Sequence, residues 1–241
     1  MSKKQVLISG LQRSDLSKRF LAGLYDYQMG WYLSGLSPDT PVRNILKSRA
    51  IGATWYFVRE MLLDAVTTGR NQVLIAPNEG MAQAARRYLT RFAAASGVAI
   101  CYDEIIFQNG AGLHFSYPGG PAPDFADGNV YMDEYAWVDD FSYLTGDILD
   151  IATHSGCRQT WYTSPSSYRH GAFAFWSGGE PVMRQFEPGQ FVGCSDGQLR
   201  QVVTLEMAIA GGFDRIDAER LRSELSAAEW RQLCQCEWVS E

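Results

Sequence analysis

The sequence predicts an α/β fold, a mainly parallel sheet covered by helices, with a small C-terminal subdomain packed on it. Three observations point there. Short apolar runs of strand character alternate along the chain with longer runs of helical periodicity. The segment Lys47-Ser48-Arg49-Ala50-Ile51-Gly52-Ala53-Thr54 has the form of a phosphate loop between a strand and a helix. Downstream, Asn129-Val130-Tyr131-Met132-Asp133-Glu134 is an apolar strand ending in two acids. In such a loop, backbone N–H groups cradle phosphates, a lysine reaches the β/γ-phosphates and a hydroxyl holds Mg2+. In such a strand, the first acid serves Mg2+ and the second polarises the attacking water. The loop alone is a weak signal, because Ala53 stands where its lysine belongs. Lys47 sits instead at the loop entrance, with Arg49 just behind it. The two motifs together favour a nucleotide site.

Composition narrows the classes. A chain of 241 residues suffices for one large α/β domain or two small ones; the change of character after Gly178 divides it into a core, 1–178, and a subdomain, 179–241. With 46% apolar and 20% charged residues it reads as an ordinary globular protein. No apolar run approaches the roughly 18 residues that span a bilayer, and the basic start lacks a signal-peptide core. No membrane partner and a cytoplasmic location are therefore expected. The five cysteines are odd in number and lack zinc-site spacing; Cys234-x-Cys236 reads as one thiol turned inward on a helix, not a redox or metal pair. A net charge of −6 offers no general attraction to nucleic acid. DNA contact would need a local basic patch or several subunits pooling their charge.

Taken in order, Phe20, Leu24, Tyr27 and Trp31 suit a helix over residues 20–33 with a buried face. Leu36–Pro41 is a turn and Val42–Leu46 a strand leading into the loop. Trp55, Val58, Met61, Leu62 and Ala65 recur at helical spacing, and Gly69 stops that helix. Gln72–Ala76 is a second strand, followed by a helix over Glu79–Ala95 with Arg86, Arg87 and Arg91. Residues 105–115 form a hairpin turning at Asn109-Gly110. Ser116–Asp127 is a Pro- and Gly-rich loop without Lys or Arg. After the acidic strand come a helix near Phe141–Ile151 and a strand Gln159–Thr163 ending at Ser164-Pro165. Beyond Gly178, glycines punctuate short elements, including a strand Leu199–Leu205. Two helices close the chain, the second opened by the capping box Ser226-x-x-Glu229.

In this order and spacing, the motifs resemble the ATPase domain of the large terminase subunit, the DNA-packaging motor of tailed bacteriophages. The resemblance runs from about Tyr25 to Val239. It is most specific at Lys47–Glu60, Thr67–Gln72, Asn129–Val138 and Thr163–Ser167, and the Gly-Ala-Thr-Trp variant marks one branch. It implies a P-loop NTPase fold of the RecA/helicase-like kind and hydrolysis of ATP with Mg2+ to drive double-stranded DNA into a procapsid. It also implies a portal and a small terminase subunit as partners, a homo-oligomeric ring when assembled, or a monomer alone, and the host cytoplasm. Tyr27-Gln28 matches the adenine-recognition motif; a glutamine amide offers a donor and an acceptor. By itself Gln28 reads as the polar side of a helix. Lys47 matches the position that supplies the missing loop lysine, against the plain alternative of a solvated strand-end residue. Arg49 matches the loop arginine that stabilises the transition state in cis. Thr54 and Asp133 would hold Mg2+ and Glu134 would orient water, while Ser48, Ala50, Ile51, Gly52, Ala53 and Trp55 complete the nucleotide contacts. Thr163-Ser164-Pro165 matches the motif that couples hydrolysis to movement.

Three departures qualify that match. Ala53 replaces the loop lysine. The loop Ser116–Asp127 lacks the arginine that many relatives place there, so hydrolysis is expected to be slow or to need an arginine from elsewhere; such a finger is worth about 10³–10⁵ in rate. The family's nuclease domain does not follow within this sequence, so no cleavage activity is expected of it. Two other readings compete: a terminase-like relic that folds and binds nucleotide or ring partners without turnover, and a helicase-type translocase. The second is weakened because a helicase core usually needs a second motor domain.

Overall fold

The structure, a computed structural model, describes residues 5–37, 42–101, 104–125, 127–145, 151, 157–178 and 190–240. They form α1 (Gly10–Ala22), α2 (Asp26–Leu36), β1 (Val42–Lys47), α3 (Ala53–Thr68), β2 (Gln72–Ile75) and α4 (Glu79–Ala95). Then come β3 (Ile105–Ile106), β4 (Gly112–Ser116), β5 (Asn129–Asp133), a 3-10 turn (Tyr135–Trp137), α5 (Phe141–Leu144), β6 (Gln159–Thr163) and α6 (Gly171–Ser177). The C-terminal part adds β7 (Val192–Gly193), β8 (Leu199–Val203), α7 (Leu205–Ala210), α8 (Ala218–Glu224) and α9 (Ala227–Leu233).

One sheet takes the order β3-β4-β2-β5-β6-β1-β8-β7. Its six inner strands are parallel, and the short edge strands β3 and β7 are antiparallel. Both faces are buried, so the inner strands carry apolar side chains toward both sides, divided by alternation, with buried polar residues such as Arg43, Gln72, Asn129 and Arg200 among them. Ile45, Leu74, Tyr131 and Tyr162 face a core built with α1 to α4. Leu46, Val73, Ile75, Val130, Met132 and Trp161 face a second core built with α5, α6 and Trp238. In the first, Phe57 stacks on Trp31 at 5.2 Å and on Tyr162 at 4.3 Å, tying α2 and α3 to the sheet.

The expected helix over residues 20–33 is two helices. α1 ends at Gly23, and α2 begins after Tyr25 with the Asp26 N–H donating to Gly211 O at 3.0 Å. The apolar pattern is continuous across this break, because both helices pack on one core. The break puts Tyr27 and Gln28 in a first turn, where they are buried. The hairpin turns at Gly110, whose φ of 93° suits glycine. The strand expected to reach Leu205 stops at Val203, because Thr204 caps α7. Of the helix expected near 141–151, the described part is α5; residues 146–150, like 38–41 of the expected turn, lie outside the described residues. Cys234 follows α9 as its C-cap and Cys236 lies beyond; both are buried, which departs from one inward thiol on a helix. No helix among the described residues is long and apolar enough to cross a membrane.

Candidate active site

β1, β6 and β5 end side by side at the carboxyl edge of the sheet, where open α/β sheets bind ligands. The loop after β1 is braced from the C-terminal segment. Ser48 N donates to Val203 O at 2.7 Å, and Leu233 O accepts from Arg49 N at 2.8 Å and from Ser48 Oγ at 3.0 Å. Ser48 is therefore turned into this brace. Ala50 and Gly52 take left-handed φ values of 62° and 79°, which turn the chain into α3. From below, the Tyr27 hydroxyl donates to Ile51 O at 2.6 Å. Gln28 is buried beside it, its Nε2 3.5 Å from where a Cβ on Gly52 would stand. The Tyr27-Gln28 pair thus underlies the loop.

The two acids meet the loop from the other side. Thr54 Oγ1 donates to Asp133 Oδ2 at 2.8 Å. Asp133 Oδ1 is buried without a hydrogen-bond partner among the described residues. Burial, reinforced by the neighbouring charge of Glu134, pushes the Asp133 carboxyl up to about 7. β1 and β5 lie two strand spacings apart, about 9–10 Å, and Lys47 spans that gap to ion-pair with Glu134 Oε1. Glu134 Oε2 accepts from Ser164 N at 2.7 Å and Ser164 Oγ at 2.9 Å, with Thr163 Oγ1 at 3.4 Å. Burial would raise this carboxyl, but Lys47 and Ser164 outweigh it and hold it below the usual range. Glu134 itself sits at φ 47°, a left-handed conformation that costs a non-glycine residue about 1–2 kcal/mol. Pro165 lies further out, its carbonyl accepting from Gln232 Nε2 at 3.1 Å.

Between these parts lies a cleft of 690 Å³. Lys47, Arg49, Ala50, Gly52, Ala53, Thr54, Trp55, Gln28 and Glu134 line it. Arg49 is exposed at its mouth, 6.0 Å from the centre of the Trp137 ring. Six more lining residues are not among the site residues the sequence offers: Gly23, Tyr25, Arg59, Tyr88, Phe213 and Arg215. Arg59 had a signal, standing four residues after Trp55 on one helix face; Phe213 and Arg215 follow α7 in a stretch without a motif. The donor set at Thr54 and Asp133, a hydroxyl beside a carboxylate with one oxygen unbonded, suits a hard cation such as Mg2+.

A glycine-turned loop between a parallel strand and its helix, facing a strand that ends in two acids, defines a P-loop NTPase. The family described as "Terminase large subunit, T4likevirus-type, N-terminal" matches residues 44–241. The chain is 36% identical over 240 residues to the "Terminase, ATPase subunit" of Escherichia phage P2, covering 94% of this chain and 40% of that protein. It is 36% identical over 241 residues to the "Probable terminase, ATPase subunit" of Haemophilus phage HP1, covering 94% of this chain and 39% of that one. The large terminase of a thermophilic bacteriophage, solved with ATP-gamma-S, shares the fold with a TM-score of 0.60 at 16% identity. That match covers 89% of this chain and 53% of the other. The chain belongs to the large terminase subunit family and spans about two fifths of the length of the two phage relatives it matches in sequence.

Proposed function

We propose that the chain is the ATPase motor domain of a phage DNA-packaging terminase, coupling ATP hydrolysis to movement of double-stranded DNA into a procapsid. The observation that supports it best is the convergence of Thr54 with Asp133 and of Lys47 with Glu134 at one strand edge. Two phage relatives described as terminase ATPase subunits support the same reading. Thr54 and Asp133 would hold Mg2+, which neutralises charge on the β- and γ-phosphate oxygens. Glu134 orients the attacking water and takes its proton. Lys47 and Arg49 stabilise charge developing on the transferred phosphoryl group, and Tyr27 and Gln28 support adenine recognition.

The Lys47–Glu134 pair adds a physical route for coupling. A γ-phosphate offers Lys47 a second anion. As Lys47 turns to it, Glu134 is left held by Ser164 and Thr163. The segment after β6 would then feel whether nucleotide is present, in keeping with the coupling role of Thr163-Ser164-Pro165. Residues 179–241 act on this reading as a subdomain on the core 1–178, bracing the loop through Val203 and Leu233. A ring of copies, a portal and a small terminase subunit as partners, and the host cytoplasm belong to the same proposal. The helicase reading falls with the family, and the relic reading sets aside an acid pair and loop that are assembled.

The test is steady-state ATP hydrolysis with and without DNA across a range of protein concentrations, using Glu134→Gln as the reference. Hydrolysis by the parent protein is expected, rising with concentration if a neighbour supplies an arginine, while Glu134→Gln binds ATP and does not turn it over. A parent protein no faster than Glu134→Gln at every concentration, with DNA present, would leave the relic reading standing.

A further inference from the structure

We propose that Arg59, with the Trp55 ring it lies against, forms the nucleoside-side wall of the cleft and binds the ribose and base of a nucleotide. This rests on the nucleotide reading of the cleft and assigns a residue outside the loop and acid motifs. The Arg59 guanidinium lies 3.1 Å from the centre of the Trp55 ring and 4.4 Å from that of Phe92, held between α3 and α4 by cation–π contact. Its Nε is buried without a hydrogen-bond partner among the described residues. The acid next to it in sequence, Glu60, is bonded to Arg43, Tyr56 and Tyr131 instead. Burial alone lowers the Arg59 pKa to about 9, which leaves it a cation at neutral pH. A partly desolvated cation lining a cleft is a costly arrangement that an acceptor entering the cleft relieves.

Position decides which part of a nucleotide supplies that acceptor. The groups assigned to the phosphates, Lys47 and Thr54, lie at the N-terminal end of α3. Arg59 is five residues beyond Thr54, about 7.5 Å along the helix axis, past the β/γ-phosphates. Tyr25, Gln28 and Phe213 line the same cleft. A purine in the cleft would find the Trp55 ring and the aromatic pair Tyr25–Phe213, whose centres are 5.3 Å apart, to pack against. The ribose hydroxyls and base nitrogens are then the acceptors within reach of Arg59.

Two ligands separate this from a general effect on the site: Mg·ADP, and Mg·tripolyphosphate, which has phosphates and no nucleoside. Arg59→Met keeps an apolar filler between the two rings, and Arg59→Lys keeps the charge without the planar donors. By isothermal titration, Arg59→Met should weaken Mg·ADP about tenfold or more, the loss of one hydrogen bond to a charged group, and leave Mg·tripolyphosphate unchanged. Arg59→Lys should show the same split, more weakly. In hydrolysis, KM for ATP should rise with kcat unchanged. Wild-type Mg·ADP affinity in Arg59→Met overturns the inference, as does an equal loss for both ligands. Should Arg59→Met fail to fold, Arg59→Lys decides by the same criterion. A wild-type protein that binds neither ligand fails the nucleotide reading itself.

Discussion

The elements that end at the site also build a second charged cluster deeper in the fold, and each supplies residues to both clusters. β1 supplies Lys47 to the cleft and Arg43 below; α3 supplies Thr54 and Glu60; β5 supplies Asp133 and Tyr131; β6 supplies Thr163 and Thr160. In the lower cluster both Glu60 oxygens are bonded. Oε1 accepts from Arg43 Nη2 at 2.5 Å and from the Tyr131 hydroxyl at 3.1 Å, and Oε2 accepts from the Tyr56 hydroxyl at 2.8 Å. Arg43 further donates to Thr160 Oγ1 at 2.8 Å and Trp31 O at 2.8 Å. In the upper cluster Asp133 keeps an oxygen unbonded and Glu134 sits on a strained backbone. The same strands support both. The lower carboxylate, Glu60, is fully bonded as scaffold, while the upper pair combines an acid with a free oxygen and a strained acid at the mouth of a cleft.

That contrast separates the effects of mutation. Glu60→Gln leaves Arg43 buried and unpaired, so it should cost about 3–5 kcal/mol of stability, read by urea unfolding, with Mg·ATP affinity unchanged where the protein is folded. Burial would raise the Glu60 carboxyl, but Arg43 and Arg158 outweigh it and hold it below 4.5. The contribution of this cluster is therefore present above about pH 4.5 and is lost as pH falls through the lowered value. The Glu60→Gln protein should lack that part of the acid sensitivity. Equal acid sensitivity in both proteins would show that Glu60 is not its source.

Lys47→Ala should act on rate beyond the stability it costs by leaving Glu134 without its ion pair. Loss of one charge stabiliser of the transition state costs about 2–4 kcal/mol in single-turnover hydrolysis at saturating Mg·ATP. Lys47→Arg should rescue poorly, because a planar fork replaces a point charge. Lysine placed at Ala53 in the Lys47→Ala background should restore part of the rate. A Lys47→Ala rate close to wild type would return Lys47 to the role of a strand-end partner for Glu134.

The sequence disclosed the parts of the site that are contiguous. The run into Lys47, the loop to Thr54 and the acid-ended strand each announce themselves locally, and so do the apolar cores of the inner strands, such as residues 73–75 and 130–132. What depends on long-range pairing was hidden. Nothing local shows that Leu199–Val203 joins the sheet beside β1, or that Leu233 braces the loop. Arg43 sits in the same strand as Lys47, yet only the approach of Glu60 from α3 makes it a buried partner. The split at Gly23 was missed because one hydrophobic pattern serves two helices. Phe213 reaches the cleft only because α7 packs against α2, which no spacing in the sequence reveals.

The smallest change in stability should accompany the most direct test of the site. Asp133→Asn removes the buried member of two adjacent acids and the charge that would face the cation, while keeping the side chain's shape. Isothermal titration with Mg·ATP, paired with thermal unfolding, reads both consequences. The expected result is a loss of Mg·ATP affinity of about tenfold or more, with a melting temperature equal to or above that of the parent. Wild-type Mg·ATP affinity together with a lowered melting temperature would contradict the account, placing Asp133 with Glu60 in the scaffold and the nucleotide elsewhere.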